Sequence, residues 1–188
     1  MSRPHLEQSS RCTAGVQTRY VSGKNGIPIK GIMLGLESGY TWPLAAAENM
    51  SWGFTSSTSS GDVSGLVGDG NATGLGQSSM TSLQGVQGKV VYAVGPKIKP
   101  FVTGGLARAN ATYKNAATTA PAGAGQFHSI LGWTAGIGAH VAYDDRTSMT
   151  AGYNFTKFPS KTYGLITAAT PTFHMKLNDL SVGLALRF

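Results

Sequence analysis

The stretch Ser181-Val182-Gly183-Leu184-Ala185-Leu186-Arg187-Phe188 decides how the sequence is read. Successive side chains of a strand point to opposite faces. One face here carries Leu180, Val182, Leu184, Leu186 and Phe188; the other carries Asp179, Ser181, Gly183, Ala185 and Arg187. A soluble domain seldom finishes on such a strand with a phenyl ring as its last group. A barrel strand whose outer side meets lipid does so readily, so the rest of the chain is read against a membrane.

The same alternation recurs upstream. From Gly132 to Tyr143, the set Trp133, Ala135, Ile137, Ala139, Val141 and Tyr143 opposes Gly132, Thr134, Gly136, Gly138, His140 and Ala142. A tight turn at Asp144-Asp145-Arg146-Thr147 follows, because Asp accepts hydrogen bonds from the backbone just beyond it. The next strand sets Met149, Ala151, Tyr153 and Phe155 against Ser148, Thr150, Gly152 and Asn154. Ile32, Leu34, Leu36, Tyr40 and Trp42 oppose Met33, Gly35, Glu37, Gly39 and Thr41; Trp52 and Phe54 oppose Gly53 and Thr55; Val90 and Tyr92 oppose Lys89 and Val91. Pro100 to Tyr113 is strand-like with ambiguous facing, and Thr13 to Val21 is weak, with only Val16 and Tyr20 convincing as outward residues.

The total is eight strands, an even number as a single-chain bacterial barrel requires. Short links fall near 43–49, 95–98 and 144–147, and long ones near 57–79, 114–129 and 159–174, after a modest first link near 22–29. Outer-membrane barrels segregate their connections in this way, with tight turns on the periplasmic side and long loops outside. Tyr40, Trp42, Tyr92, Tyr143 and Phe188 all lie at short-turn ends. A shared depth of amphipathic rings is the mark of an interfacial aromatic belt.

Composition agrees. The chain has 188 residues, enough for one domain, with 26 glycines and only 12% charged residues, a mixture poor for helices. No run reaches the roughly 18 to 20 apolar residues of a membrane helix, so a spanning chain must close as a barrel to satisfy its backbone. Met1-Ser2-Arg3-Pro4-His5 opens no apolar signal core, and residues 1–28 are set apart as an atypical N-terminal segment carrying the weak first strand, with the outer-membrane β-barrel at 29–188. Cys12 is the sole cysteine and reads as an incidental thiol. The net charge of +7 is dispersed, with no basic cluster, which suits anionic lipid headgroups and lipopolysaccharide phosphates and argues against a nucleic-acid partner. The Gly/Ser-rich segment Ser56 to Ser79 lacks the Lys-Ser/Thr of a phosphate loop and the repeated acids of a calcium loop, and is read as a surface loop.

These residues carry a family resemblance. Gly132-Trp133-Thr134-Ala135-Gly136-Ile137-Gly138-Ala139, with Tyr153-Asn154-Phe155-Thr156-Lys157-Phe158, resembles the sixth and seventh strands of small bacterial outer-membrane barrels. These are the opacity-protein and outer-membrane-protein-A-like porin families, including alphaproteobacterial-type surface antigens. Pro100 to Ala107 resembles their fifth strand and Gly35 to Trp42 their second. The C-terminus is similar to the family's assembly signal at Ser181, Gly183, Leu186 and Phe188. The resemblance implies an all-β, eight-stranded antiparallel up-and-down transmembrane barrel in the bacterial outer membrane, inserted by the barrel assembly machinery. It also implies loops that meet host or envelope proteins.

An eight-stranded lumen is just wide enough for side chains to fill. The inward set includes Glu37, Lys89, His140, Asp179 and Arg187. Buried charges must pair, so the expectation is a lumenal network in which Glu37 and Asp179 face Lys89 and Arg187. Catalysis on lipid A would need a Ser nucleophile with a His base. The candidates, His128 with Ser129 and His174 with Ser160, lack an acid partner at motif spacing, so no enzyme, cofactor or metal site is expected. The competing reading is a soluble β-sandwich that binds ligands or forms filaments.

Overall fold

The computed structural model describes residues 11–24, 28–44, 47, 49–67, 76–95, 97–115, 126–159, 161–162, 172–173 and 175–187. Among them there is no helix. The strands are β1 (Arg11–Lys24), β2 (Pro28–Pro43), β3 (Met50–Val67), β4 (Gly76–Tyr92), β5 (Ile98–Asn115), β6 (Gln126–Ala142), β7 (Thr147–Lys157), β8 (Lys161–Thr162), β9 (Thr172–Phe173) and β10 (Lys176–Arg187). Eight of these close an antiparallel barrel in the order β1-β10-β7-β6-β5-β4-β3-β2, while β8 and β9 pair in a separate small hairpin. β1 lies inside the segment 1–28, around the span where the weak first strand is expected.

Register fixes the geometry. The ladder runs from Ser38 through Ser56, Val86, Leu106, Trp133, Lys157, Lys176 and Lys24. It returns to β2 at Pro28, a displacement of ten residues (38 − 28). With a rise of ~3.3 Å per residue and strands ~4.8 Å apart, that stagger tilts the strands by about 41°. At that tilt about ten residues cross a 25 Å apolar band. β3, β4, β5 and β6 have 18, 17, 18 and 17 residues, so their far ends project beyond such a band.

Alternation in the sequence becomes two faces in the wall. Val16, Ile32, Leu34, Leu36, Val86, Ile137, Val182 and Leu184 are exposed outside. Lys89, Asp179, Arg19 and Met33 are buried within. Val16 and Tyr20 of the weak first strand are outward, as their parity requires, and β1 pairs with β10 from Thr13 to Lys24.

The span 57–79 differs from expectation. β3 continues to Val67 and β4 starts at Gly76, so most of the Gly/Ser-rich segment is paired strand. Past Phe54 the outward positions of β3 become polar (Ser56, Thr58, Ser60), and they oppose small inward residues such as Ser57 and Ser59. Periodicity disappears while the backbone ladder continues. One extra residue in β3 between Ser60 and Val63, matched by one in β4 between Met80 and Ser82, makes adjacent bulges there. β5 likewise reaches Asn115 and β6 starts at Gln126, within the expected long link 114–129.

Candidate functional site

The site is the lumen, built on three levels. At the short-connection end, inward positions of β2, β4, β5, β6 and β7 converge on Lys89. Its Nζ lies 3.2 Å from Glu37 Oε1 and 3.2 Å from His140 Nε2, and it stands 4.3 Å from the centroid of the Phe101 ring. A lysine ammonium has only donors, so Nε2 accepts. The other ring nitrogen then carries the proton and donates to Thr150 Oγ1 at 2.8 Å. Phe101 packs against the His140 ring with centroids 4.6 Å apart. It needs Gly138 opposite it, since a Cβ there would collide with the ring. Lys89 is thus desolvated but receives a carboxylate, an imidazole and a π-face in exchange.

The second level lies four residues further along β1, from Gly15 opposite Glu37 to Arg19 opposite Met33. Arg19 Nη1 donates to Asp179 Oδ2 at 3.0 Å, and both side chains are almost wholly buried. Gln17, two residues along the same face, turns its amide oxygen to Arg19 Nη2 at 2.7 Å and Nε at 3.2 Å. Arg19 was absent from the expected network, although Val16 and Tyr20 outward already place residue 19 inward. Asp179 takes Arg19 as partner rather than Arg187, which lies eight residues along the same strand, roughly 26 Å away. The side chain of Arg187 lies outside the described residues.

The third level lies toward the long-connection end. Val21, Ile29, Met33, Val63, Met80, Leu83, Ile130, Phe158, Met175 and Leu177 are buried together there as an apolar cluster. Sequence reading did not foresee it, because Val63, Met80 and Phe158 to Met175 fall in or beside spans read as loops. The described lumen therefore passes from apolar at one end to paired charges further in.

Tyr40, Trp42, Tyr92 and Tyr143 all sit on the outer face near the short connections, with Tyr143 85% exposed. Trp42 stacks on Trp52 at 4.9 Å and meets Tyr40 edge-on at 4.6 Å, so Trp52 joins this ring cluster. Ser181 faces the lumen and donates to the Gly152 carbonyl at 3.3 Å. Gly183 lies against Gln17 across the β1–β10 seam, and Leu186 is exposed outside. Phe188 lies outside the described residues. Of the candidate Ser–His pairs, Ser129 is on the outer face hydrogen-bonded to Arg108 Nε. The side chain of His128, and His174 and Ser160 altogether, fall outside the described residues. Among the described residues no three His, Cys, Asp or Glu side chains gather as metal ligands would.

Comparison with known proteins places this geometry. A family model described as outer membrane protein beta-barrel domain matches residues 4–188. A search of curated protein sequences finds no match. Among solved structures, the chain is similar to Ail, the attachment invasion locus protein of Yersinia pestis, in complex with the heparin analogue sucrose octasulfate. Identity is 13%, TM-score 0.60, with 96% of this chain and 99% of that one covered. Neisserial surface protein A matches at 13% identity and TM-score 0.56, covering 94% and 97%. The outer membrane protein OprG from Pseudomonas aeruginosa matches at 9% identity and TM-score 0.51, covering 95% of each. At these identities the likeness to the solved structures is one of fold.

Proposed function

The chain belongs to the outer membrane protein beta-barrel domain family, and from that premise we propose that it is a non-conducting surface barrel of the bacterial outer membrane. In this reading it braces the envelope and presents its long connections outside, where they meet host or envelope proteins. The observation that carries the proposal is the filled lumen. Among the described residues an apolar cluster lies over two paired-charge levels, which supports a closed lumen because an apolar constriction resists wetting. The aromatic cluster around Trp42 fits a girdle at the periplasmic interface, where an amphipathic ring is most stable. Ser181, Gly183, Leu186 and Phe188 are then the tag presented to the assembly machinery, and no catalytic role is assigned to any residue.

The test is conductance of the refolded protein in planar bilayers. Quiet traces are expected. Steady steps comparable to those of a general porin would overturn the plugged lumen without touching the family assignment.

A further inference from the structure

We infer that the outer wall formed by β2 and β3 is a two-fold contact face, and that its partner is a second copy of this chain in the same membrane. The inference needs the barrel to span the membrane and does not depend on a closed lumen.

This wall offers groups at three depths that the chain itself leaves unmatched. Lys30 and Asp62 stand at the long-connection end: Asp62 lies opposite Ile32, and Lys30 is the next outward residue of β2. Both are exposed, and among the described residues neither forms an ion pair. Below them β3 turns Ser56 and Thr58 outward, and β2 turns out Ser38, directly opposite Ser56. Each residue climbs about 2.5 Å at the tilt of these strands, so Ser38 and Ser56 lie about 10 Å above Trp42 and Trp52, well inside a 25 Å apolar band. Among the described residues none of these three hydroxyls is hydrogen-bonded within the chain, a costly state against lipid. Lowest, Ala14, Ser38 and Ser56 make one cross-strand row of short side chains. With Leu36, Leu184 and Leu186 they line a concavity of about 640 Å3 on the outside of the wall. Phe54, two residues below Ser56, is exposed beside it.

The membrane fixes how two copies meet. Both point the same end outward, so their two-fold axis runs along the membrane normal, and each residue faces residues at its own depth. A residue of β3 stands about 3 Å higher than its opposite on β2, which puts Lys30 within about 2 Å of the depth of Asp62, and Ser38 within about 3 Å of that of Ser56 and of Phe54. An axis between β2 and β3 therefore matches unlike groups, each match occurring twice. Lys30 of each copy meets Asp62 of the other. Ser38 of each reaches Ser56 of the other, and a hydroxyl both donates and accepts. Phe54 of each enters the concavity of the other. The far wall has no such match: Lys157 and Lys176 are exposed opposite each other, and the described residues of β7 and β10 turn no carboxylate outward. A face three strands wide and 25 Å tall buries at most about 1,000 Å2 in a pair, the low edge of specific interfaces, so the association is reversible.

Sedimentation equilibrium of the refolded full chain in density-matched detergent micelles, over a range of protein-to-detergent ratios, tests the face. Wild type should show a monomer–dimer equilibrium. Lys30→Glu and Asp62→Lys should each dimerise at least tenfold more weakly, since either reversal sets like charges together twice. An equimolar mixture of the two variants should recover dimers, because each brings the charge the other lacks. Phe54→Ala should weaken the dimer at least tenfold, and Lys157→Glu, on the far wall, should leave it unchanged. Boiled and unboiled samples run on gels report folding of each variant, and loss of that mobility difference in wild type would sink the barrel reading itself. A wild type that is monomeric at every ratio would give the face to lipid or to a different protein and overturn the two-fold reading. Trimers, single reversals that dimerise like wild type, or a mixture that fails to recover would overturn it equally, while leaving the barrel intact.

Discussion

Replacing Arg19 by Met should cost the barrel about 3–5 kcal/mol, the toll of stranding one member of a buried ion pair. The separation is 3.0 Å, with side-chain exposures of 7% and 2%. At an effective dielectric constant near 20, Coulomb attraction at that distance is about 5–6 kcal/mol, which sets the scale of what Asp179 loses. Asp179→Asn leaves a guanidinium that cannot discharge, although the Gln17 amide oxygen offsets part of its cost.

The double variant Arg19→Met/Asp179→Leu removes both charges and should recover most of the stability, since an apolar pair of similar volume often matches a buried ion pair. Urea unfolding in detergent, followed by fluorescence of the three tryptophans, measures all four proteins. A loss under 1 kcal/mol for Arg19→Met, or a double variant that loses the sum of the singles, refutes the claim that this pair fastens the seam.

Lys89→Met should cost less, about 1–2 kcal/mol, because Glu37 keeps 26% side-chain exposure and can rehydrate; the same unfolding series checks it. Gly138→Ala should lose about 1–3 kcal/mol by overpacking against Phe101, whereas Gly104→Ala, with nothing within 4 Å of the new methyl, should change stability by less than about 0.5 kcal/mol. In the exposed turn, backbone N–H donors of Arg146 and Thr147 hold the Asp144 carboxyl below its ordinary value of 3.8. Its contribution is present above that value and is lost as pH falls through the lowered one. The stability gap between wild type and Asp144→Ala should be constant in neutral solution and close only in acid below 3.8; a gap that closes by pH 6 contradicts the turn geometry.

What could be read from the residues followed the chemistry of each face. β2, β6, β7 and the terminal strand alternate large apolar with small or polar side chains, so their spans and facing were legible, as was the Asp144 turn. β3 beyond Phe54 was not. Its outward Ser56, Thr58 and Ser60 are as polar as its inward Ser57 and Ser59, and only cross-strand hydrogen bonds, which no local pattern records, keep it a strand. The buried apolar cluster was hidden for the same reason, since Val63 and Met80 sit among such residues. Glu37, Lys89 and His140 could each be assigned inward by parity, but which charge meets which depends on register around the ring.

That dependence is sharpest at the seam. The expected network gave Asp179 the cations Lys89 and Arg187 and omitted Arg19, which lies on a strand with little alternation. Strand geometry excludes Arg187, because eight residues of β10 hold it far along the wall. Register selects Arg19, because Val21 lies opposite Asp179 and Arg19 is the next inward residue along β1. Tyr20 and Leu180 pair outside while Arg19 and Asp179 pair inside, so the seam is held on both faces by residues of opposite chemistry. A slip of one residue would bring Arg19 to the outer face and strand Asp179 in the lumen. The ion pair thus makes the closing register costly to change, at the one place in the barrel where no hairpin turn sets it.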